Sequence, residues 1–82
     1  MNIKVYVLKS KSSGIYYVGM SKDVNHRLKE HNAGKTKFTK GLRPWEIIHT
    51  ESYEDWETGR KREKYLKSAA GKKWLRSQGI ID

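Results

Sequence analysis

Residues Ile15–His31 read IYYVGMSKDVNHRLKEH. Ile15–Met20 is rich in β-branched and aromatic residues, the composition of a strand. Ser21 or Asp23 can then cap a helix that runs to about His31. Upstream, Lys4–Lys9 alternates with period two, Val5 and Val7 facing one way and Lys4, Tyr6 and Leu8 the other. Ser10-Lys11-Ser12-Ser13-Gly14 between the two runs is turn chemistry, so the runs should form a hairpin. Downstream, Asn32-Ala33-Gly34 supplies a left-handed stop for the helix. Lys35–Pro44 is polar and basic and reads as loop, and Trp45–Thr50 reads as a third strand. Ser52-Tyr53-Glu54-Asp55 has the look of a capping box. A charged helix should follow, from about Asp55 to Leu66 or Ser68, weakened at Gly59 by roughly 1 kcal/mol relative to Ala. Ala69-Ala70-Gly71 should break it, and Lys72–Gln78 can form a short last helix. The expected fold is α+β, a three-stranded antiparallel sheet flanked by helices in the order β-β-α-β-α-α. It forms one domain over residues 1–82, with no linker or repeat.

Composition narrows the function. The 82 residues leave room for one core and one site. No cysteine means no disulfide framework, no thiol nucleophile and no thiolate zinc site. Nine aromatic residues, three of them Trp, argue against a disordered basic tail. The apolar runs are too short to span a membrane, and the N-terminus enters a strand directly rather than through a signal peptide. The expectation is a complete, soluble, cytoplasmic protein. Eighteen Lys and Arg against nine Asp and Glu give a net charge of +9, which points to a polyanion. Nucleic acid leads an anionic membrane surface, because no long basic amphipathic helix with a bulky apolar face is present.

The charge comes in blocks. Residues 22–43 hold seven basic and two acidic side chains, and residues 60–76 hold eight basic ones with Glu63 as the lone carboxylate. The acidic block is 51–57, with Glu51, Glu54, Asp55 and Glu57. Arg27 and His31 are spaced i, i+4 on one helix face. Tyr17 lies on the strand leading into that helix, and Tyr6 on its partner strand. Each residue also has an ordinary role. Tyrosines are common in strands, Arg27 can be a surface arginine, and His31 can complement a helix dipole. Glu63 can pair with Arg60 and Lys67, one turn to either side.

Taken as an ordered set, these residues resemble the GIY-YIG nuclease superfamily. The first motif corresponds to Lys4-Val5-Tyr6 and the second to Tyr17-Val18-Gly19; Gly14-Ile15-Tyr16 spells the family name but only abuts the second motif. Arg27 and His31 stand where the family has its Arg and His. Leu28–Lys37, Arg43-Pro44-Trp45 and Lys61–Lys64 match runs of small single-domain bacterial members, similar to the N-terminal nuclease domain of the bacterial excinuclease. The resemblance extends from about Ile3 to Trp74. Two features depart from the pattern. The first motif has Lys4 and Val5 in place of Gly and Ile, and the polar residue that some members carry after the Glu has only Lys67 and Ser68 as candidates.

The resemblance implies a metal-dependent DNA endonuclease, nonspecific or structure-selective, of the kind used in DNA repair or recombination. Glu63 would hold one Mg²⁺ or Mn²⁺ ion, with water and phosphate oxygens completing its shell. Arg27 would clamp the reacting phosphate. Tyr17 would position or deprotonate the attacking water, although an ordinary tyrosine, with a pKa of about 10, needs help to do so. Tyr6 would fix that geometry, and His31 would orient Tyr17 or relay its proton. Lys35, Lys37, Lys40, Arg43 and Lys67 are the candidate phosphate contacts, with RNA open as a substrate beside DNA. The competing reading is a nucleic-acid-binding module that uses the same basic face without turnover. No role is assigned to His26 or to His49, a strand-surface residue on this reading. Trp45, Trp56 and Trp74 are expected in the core, and the acidic block away from DNA.

Overall fold

A computed structural model describes residues 2–82. The sheet is built from β1 (Ile3–Ser10), β2 (Tyr16–Ser21) and β3 (Trp45–Tyr53). Its order is β2-β1-β3, and both pairings are antiparallel. Helices α1 (Val24–Asn32), α2 (Lys37–Lys40), α3 (Trp56–Lys67) and α4 (Ala69–Ser77) complete it. The α+β fold with a three-stranded antiparallel sheet is therefore as the sequence indicated.

The alternation along β1 sends its side chains into two cores. Val5 and Val7 pack with Val18, Leu66, Leu75 and Ile81 beneath α3 and α4. Tyr6 and Leu8 pack with Val24 and Trp45 beneath α1. The central strand is thus covered on both faces, and chemistry on its α1 side is placed by a rigid support.

Helix boundaries follow from local caps. Asp23 accepts a bond from the His26 amide and starts α1, and Gly34 at φ +81° supplies the expected left-handed stop. Three boundaries differ from the sequence reading. Lys35–Pro44 is not all loop, because Lys37–Lys40 closes one helical turn. β3 runs on to Tyr53, since Ile3 and Lys4 of β1 offer ladder partners to Tyr53 and Ser52. That removes Ser52 from any capping role; Asp55 caps α3 instead, through the Thr58 amide at 2.8 Å. The break between α3 and α4 falls at Ser68 rather than at Ala69-Ala70-Gly71. Its hydroxyl donates to the Tyr65 carbonyl and accepts from the Gly71 amide, ending one helix and starting the next.

The tryptophans divide. Trp45 is buried at 2% exposure, and Trp74 packs against the α3/α4 core. Trp56, the first residue of α3, is 48% exposed, contrary to the core expectation. His49, expected on the strand surface, is largely covered. Its Nε2 lies 2.7 Å from Glu51, and its ring stands edge-on to Trp74.

Candidate active site

The site is built around the middle of β1 and β2, where Tyr6 pairs with Gly19. A Cβ at position 19 would stand 2.5 Å from the Tyr6 hydroxyl and 3.1 Å from the Tyr17 ring. The absent side chain is therefore what lets the Tyr6 phenol end here. Tyr17 lies two residues away on the same face, its ring centroid 6.5 Å from that of Tyr6 and 5.1 Å from His31.

A buried hydrogen-bond chain fixes the protons. Thr39 Oγ1 lies 3.3 Å from the Thr36 carbonyl and 2.8 Å from His31 Nδ1. A hydroxyl has one proton. Donated to the carbonyl, it leaves Oγ1 to accept from Nδ1–H. His31 Nε2 then carries a lone pair and accepts the Tyr6 hydroxyl proton at 3.1 Å. Charge and burial keep the ring neutral, as this arrangement requires. Burial, aided by the Arg27 charge and opposed by Glu30, holds the His31 pKa below the ordinary 6.5. Burial pushes Tyr6 up to about 12, with Arg27 opposing and Tyr17 and Glu63 adding to the rise. Tyr6 is a neutral phenol, and with this tautomer its proton points at His31.

Sequence reasoning tied His31 to Tyr17; the structure instead gives its hydrogen bond to Tyr6 and leaves Tyr17 an edge-on ring contact. Tyr17 is half-buried, and its hydroxyl has no hydrogen-bond partner among the described residues. Arg27, one turn before His31 on α1, rests against Glu30 at 3.2 Å.

Glu63 arrives from the other side of the sheet. α3 packs on β1 and β2 and brings the carboxylate near enough for its charge to act on Tyr6. Its oxygens lie 3.5 Å from Arg60 and 3.3 Å from Lys67, the one-turn pairs the sequence allowed. Ser68 is occupied at the helix junction. Lys35, Lys37, Lys40 and Arg43 are exposed on and around α2, and Lys67 is exposed on α3. His26 sits on the solvent face of α1, 4.0 Å from Glu30.

Among the described residues no group of three or more His, Asp or Glu could cage a metal ion. A single carboxylate still fits Mg²⁺, which keeps most of its waters and often takes one or two carboxylates. The two cations on Glu63 are at the ends of exposed, flexible side chains and can yield to a divalent ion. Thr39 and Phe38 were missed by sequence reasoning. A threonine and a phenylalanine inside a basic, aperiodic stretch carry no signal until α2 folds against α1.

The family model for the GIY-YIG catalytic domain matches residues 2–76. A UPF0213 protein of Staphylococcus aureus is 41% identical over 73 residues, spanning 88% of each chain. The solution structure of the UPF0213 protein BH0048 from Bacillus halodurans is similar, with a TM-score of 0.58 and 34% identity over 95% of this chain and 85% of that one. With the fold, the ordered motifs and the paired tyrosines in agreement, the chain belongs to the GIY-YIG catalytic domain family, a family of nucleases.

Proposed function

We propose that this protein is a divalent-metal-dependent endonuclease that hydrolyses phosphodiester bonds in DNA, nonspecifically or by structure, in the setting of repair or recombination in the cytoplasm. The observation that carries the reading is the convergence of two tyrosines, Arg27 and the charge of Glu63 on the opening left by Gly19. Arg27 turns from Glu30 to a non-bridging oxygen of the scissile phosphate and supplies a planar pair of donors as negative charge builds there. Tyr6, its proton held by His31, presents a fixed oxygen beside that arginine. Tyr17, whose hydroxyl has no partner among the described residues, positions the attacking water. Glu63 would hold Mg²⁺ or Mn²⁺, which when bound polarises the phosphate and stabilises the leaving 3′ oxygen. Lys35, Lys37, Lys40 and Arg43 hold the flanking backbone.

The ion pairs on Glu63 favour a second reading, a binding module in which this carboxylate is structural. Nicking of supercoiled and branched DNA with Mg²⁺ or Mn²⁺ separates the two. The nuclease reading expects cutting by the wild type and a loss of at least about 100-fold in Glu63→Ala and Arg27→Ala, the scale of removing an electrostatic stabiliser. No cutting by the wild type while DNA is still bound decides for the binder, and equal cutting by wild type and Glu63→Ala removes Glu63 from the mechanism.

A further inference from the structure

The outer edge of β2 opposes no strand among the described residues, and a groove of about 430 Å³ beside it reaches the site at Tyr17. Its accessible apolar surface comes from Ile15, Tyr16 and Tyr17, with Leu66 and Leu75, 0% and 2% exposed, buried beneath. One wall is Phe38, 60% exposed on α2, with its ring 5.8 Å from Tyr17 at an interplanar angle of 31°. Lys67, Lys72 and Arg76 stand on the opposite side. Asp82 is the one acidic residue lining it among the described residues, and its backbone carbonyl accepts a bond from Arg76.

We propose that this groove receives an unpaired nucleobase of the strand that passes through the site, so that the protein grips single-stranded or unpaired DNA more tightly than duplex. The inference rests on the nuclease reading and names the form of its substrate. Three observations choose the occupant. The volume is that of a small-molecule pocket. An exposed aromatic face next to a second ring is a stacking platform, which accepts any base because every base has a π-face. Lys72, flanked by Lys67 and Arg76 on side chains that also reach Glu63 and Asp82, favours a ligand that carries phosphate beside its flat apolar part, and that combination is a nucleotide. A duplex hides its bases in the stack and must unstack one to use the groove, a cost an unpaired strand does not bear.

The experiment is fluorescence anisotropy in EDTA with labelled DNA of one length in three forms. These are a single strand, the same strand with abasic residues in a phosphate-complete backbone, and a blunt duplex. The intact strand should bind about tenfold more tightly than the abasic strand or the duplex, the scale of one stacked base. Phe38→Ala removes an exposed ring, so its melting temperature should match the wild type. It should lower affinity for the intact strand to the abasic level and leave the duplex unchanged. Equal binding of intact and abasic strands, or equal weakening of strand and duplex by Phe38→Ala, overturns the proposal. No cutting occurs in EDTA, so a protein that nicks through Glu63 yet fails here refutes the groove alone. One that passes here yet never nicks refutes the nuclease reading alone.

Discussion

Thr39 has a single hydroxyl proton, and its donation to the Thr36 carbonyl propagates through His31 to Tyr6. Thr39→Val keeps the shape and removes the acceptor. The His31 Nδ1–H would then be buried without a partner, at a cost of about 1–3 kcal/mol, unless the ring changes tautomer. Nitrogen chemical shifts of the His31 ring should report Nδ1–H in the wild type and a mixed or Nε2–H form in the variant. Nicking should fall about tenfold, and Thr39→Ser should restore both readouts. Protonating His31 likewise ends its acceptance from Tyr6, so nicking should decline in acid with an apparent pKa below 6.5, because burial lowers the folded value.

Glu51 carries a larger acid dependence. It accepts bonds from His49, Tyr53 and two nitrogens of Arg62, whose guanidinium lies 4.4 Å over the Trp74 ring. Burial alone would raise its pKa, yet those partners bring it down from 4.5 to about 2. A depressed carboxylate contributes stability that is complete above the unfolded value and fades as pH falls toward the folded one. The size is about 3 kcal/mol. Denaturant unfolding should show Glu51→Gln less stable than wild type by about that amount near pH 7. The gap should begin to narrow near pH 4.5 and be nearly gone by about pH 2. A constant gap across that range would sink this account.

At the scale of elements, two helical glycines look alike in the sequence and differ in their surroundings. Gly59 faces the end of the Met20 side chain at 3.1 Å, a flexible neighbour. Gly71 faces the backbone of Tyr65 and Leu66, with the Tyr65 carbonyl where a Cβ would go. Gly59→Ala should lie within about 1 kcal/mol of wild type, since helix propensity gains what small repacking loses. Gly71→Ala should destabilise by about 2 kcal/mol or more, because backbone cannot yield as a side chain does. Thermal melts of the two variants check the contrast. The same distinction explains which boundaries were legible. The Asp23 cap and the Gly34 stop are local and readable. The end of β3 was set by partners in β1, some fifty residues earlier in the chain, and no pattern within residues 45–53 shows them.

For the whole molecule, the +9 charge resolves into surfaces with different tasks. Within the acidic block, Glu51 is neutralised inside the α3/α4 side. Asp55 caps α3 about 12 Å along the helix from Glu63, and Glu57 pairs with Lys61. Lys35, Lys37 and Lys40 remain exposed beside the site. Duplex binding should weaken linearly in log salt, and each of these lysines that neutralises a phosphate should contribute about 0.9 to the slope. Replacing all three with Gln should flatten the slope accordingly, as titrations at several salt concentrations will read. An unchanged slope would remove α2 from the DNA path.

By itself the sequence determined the α+β fold class, the facing of β1 and membership in a nuclease family, and it allowed the pairing of Glu63 with its helical neighbours. All of these depend on periodicity, local caps or residues in fixed order. Only the tertiary structure decided that His31 serves Tyr6, that Thr39 sets its tautomer, and that Phe38 and Tyr17 open a groove beside Lys72. Those contacts join α1, α2 and both hairpin strands. A hydrogen bond between distant segments depends on where packing brings two atoms to about 3 Å, and residue spacing along the chain carries no record of that distance.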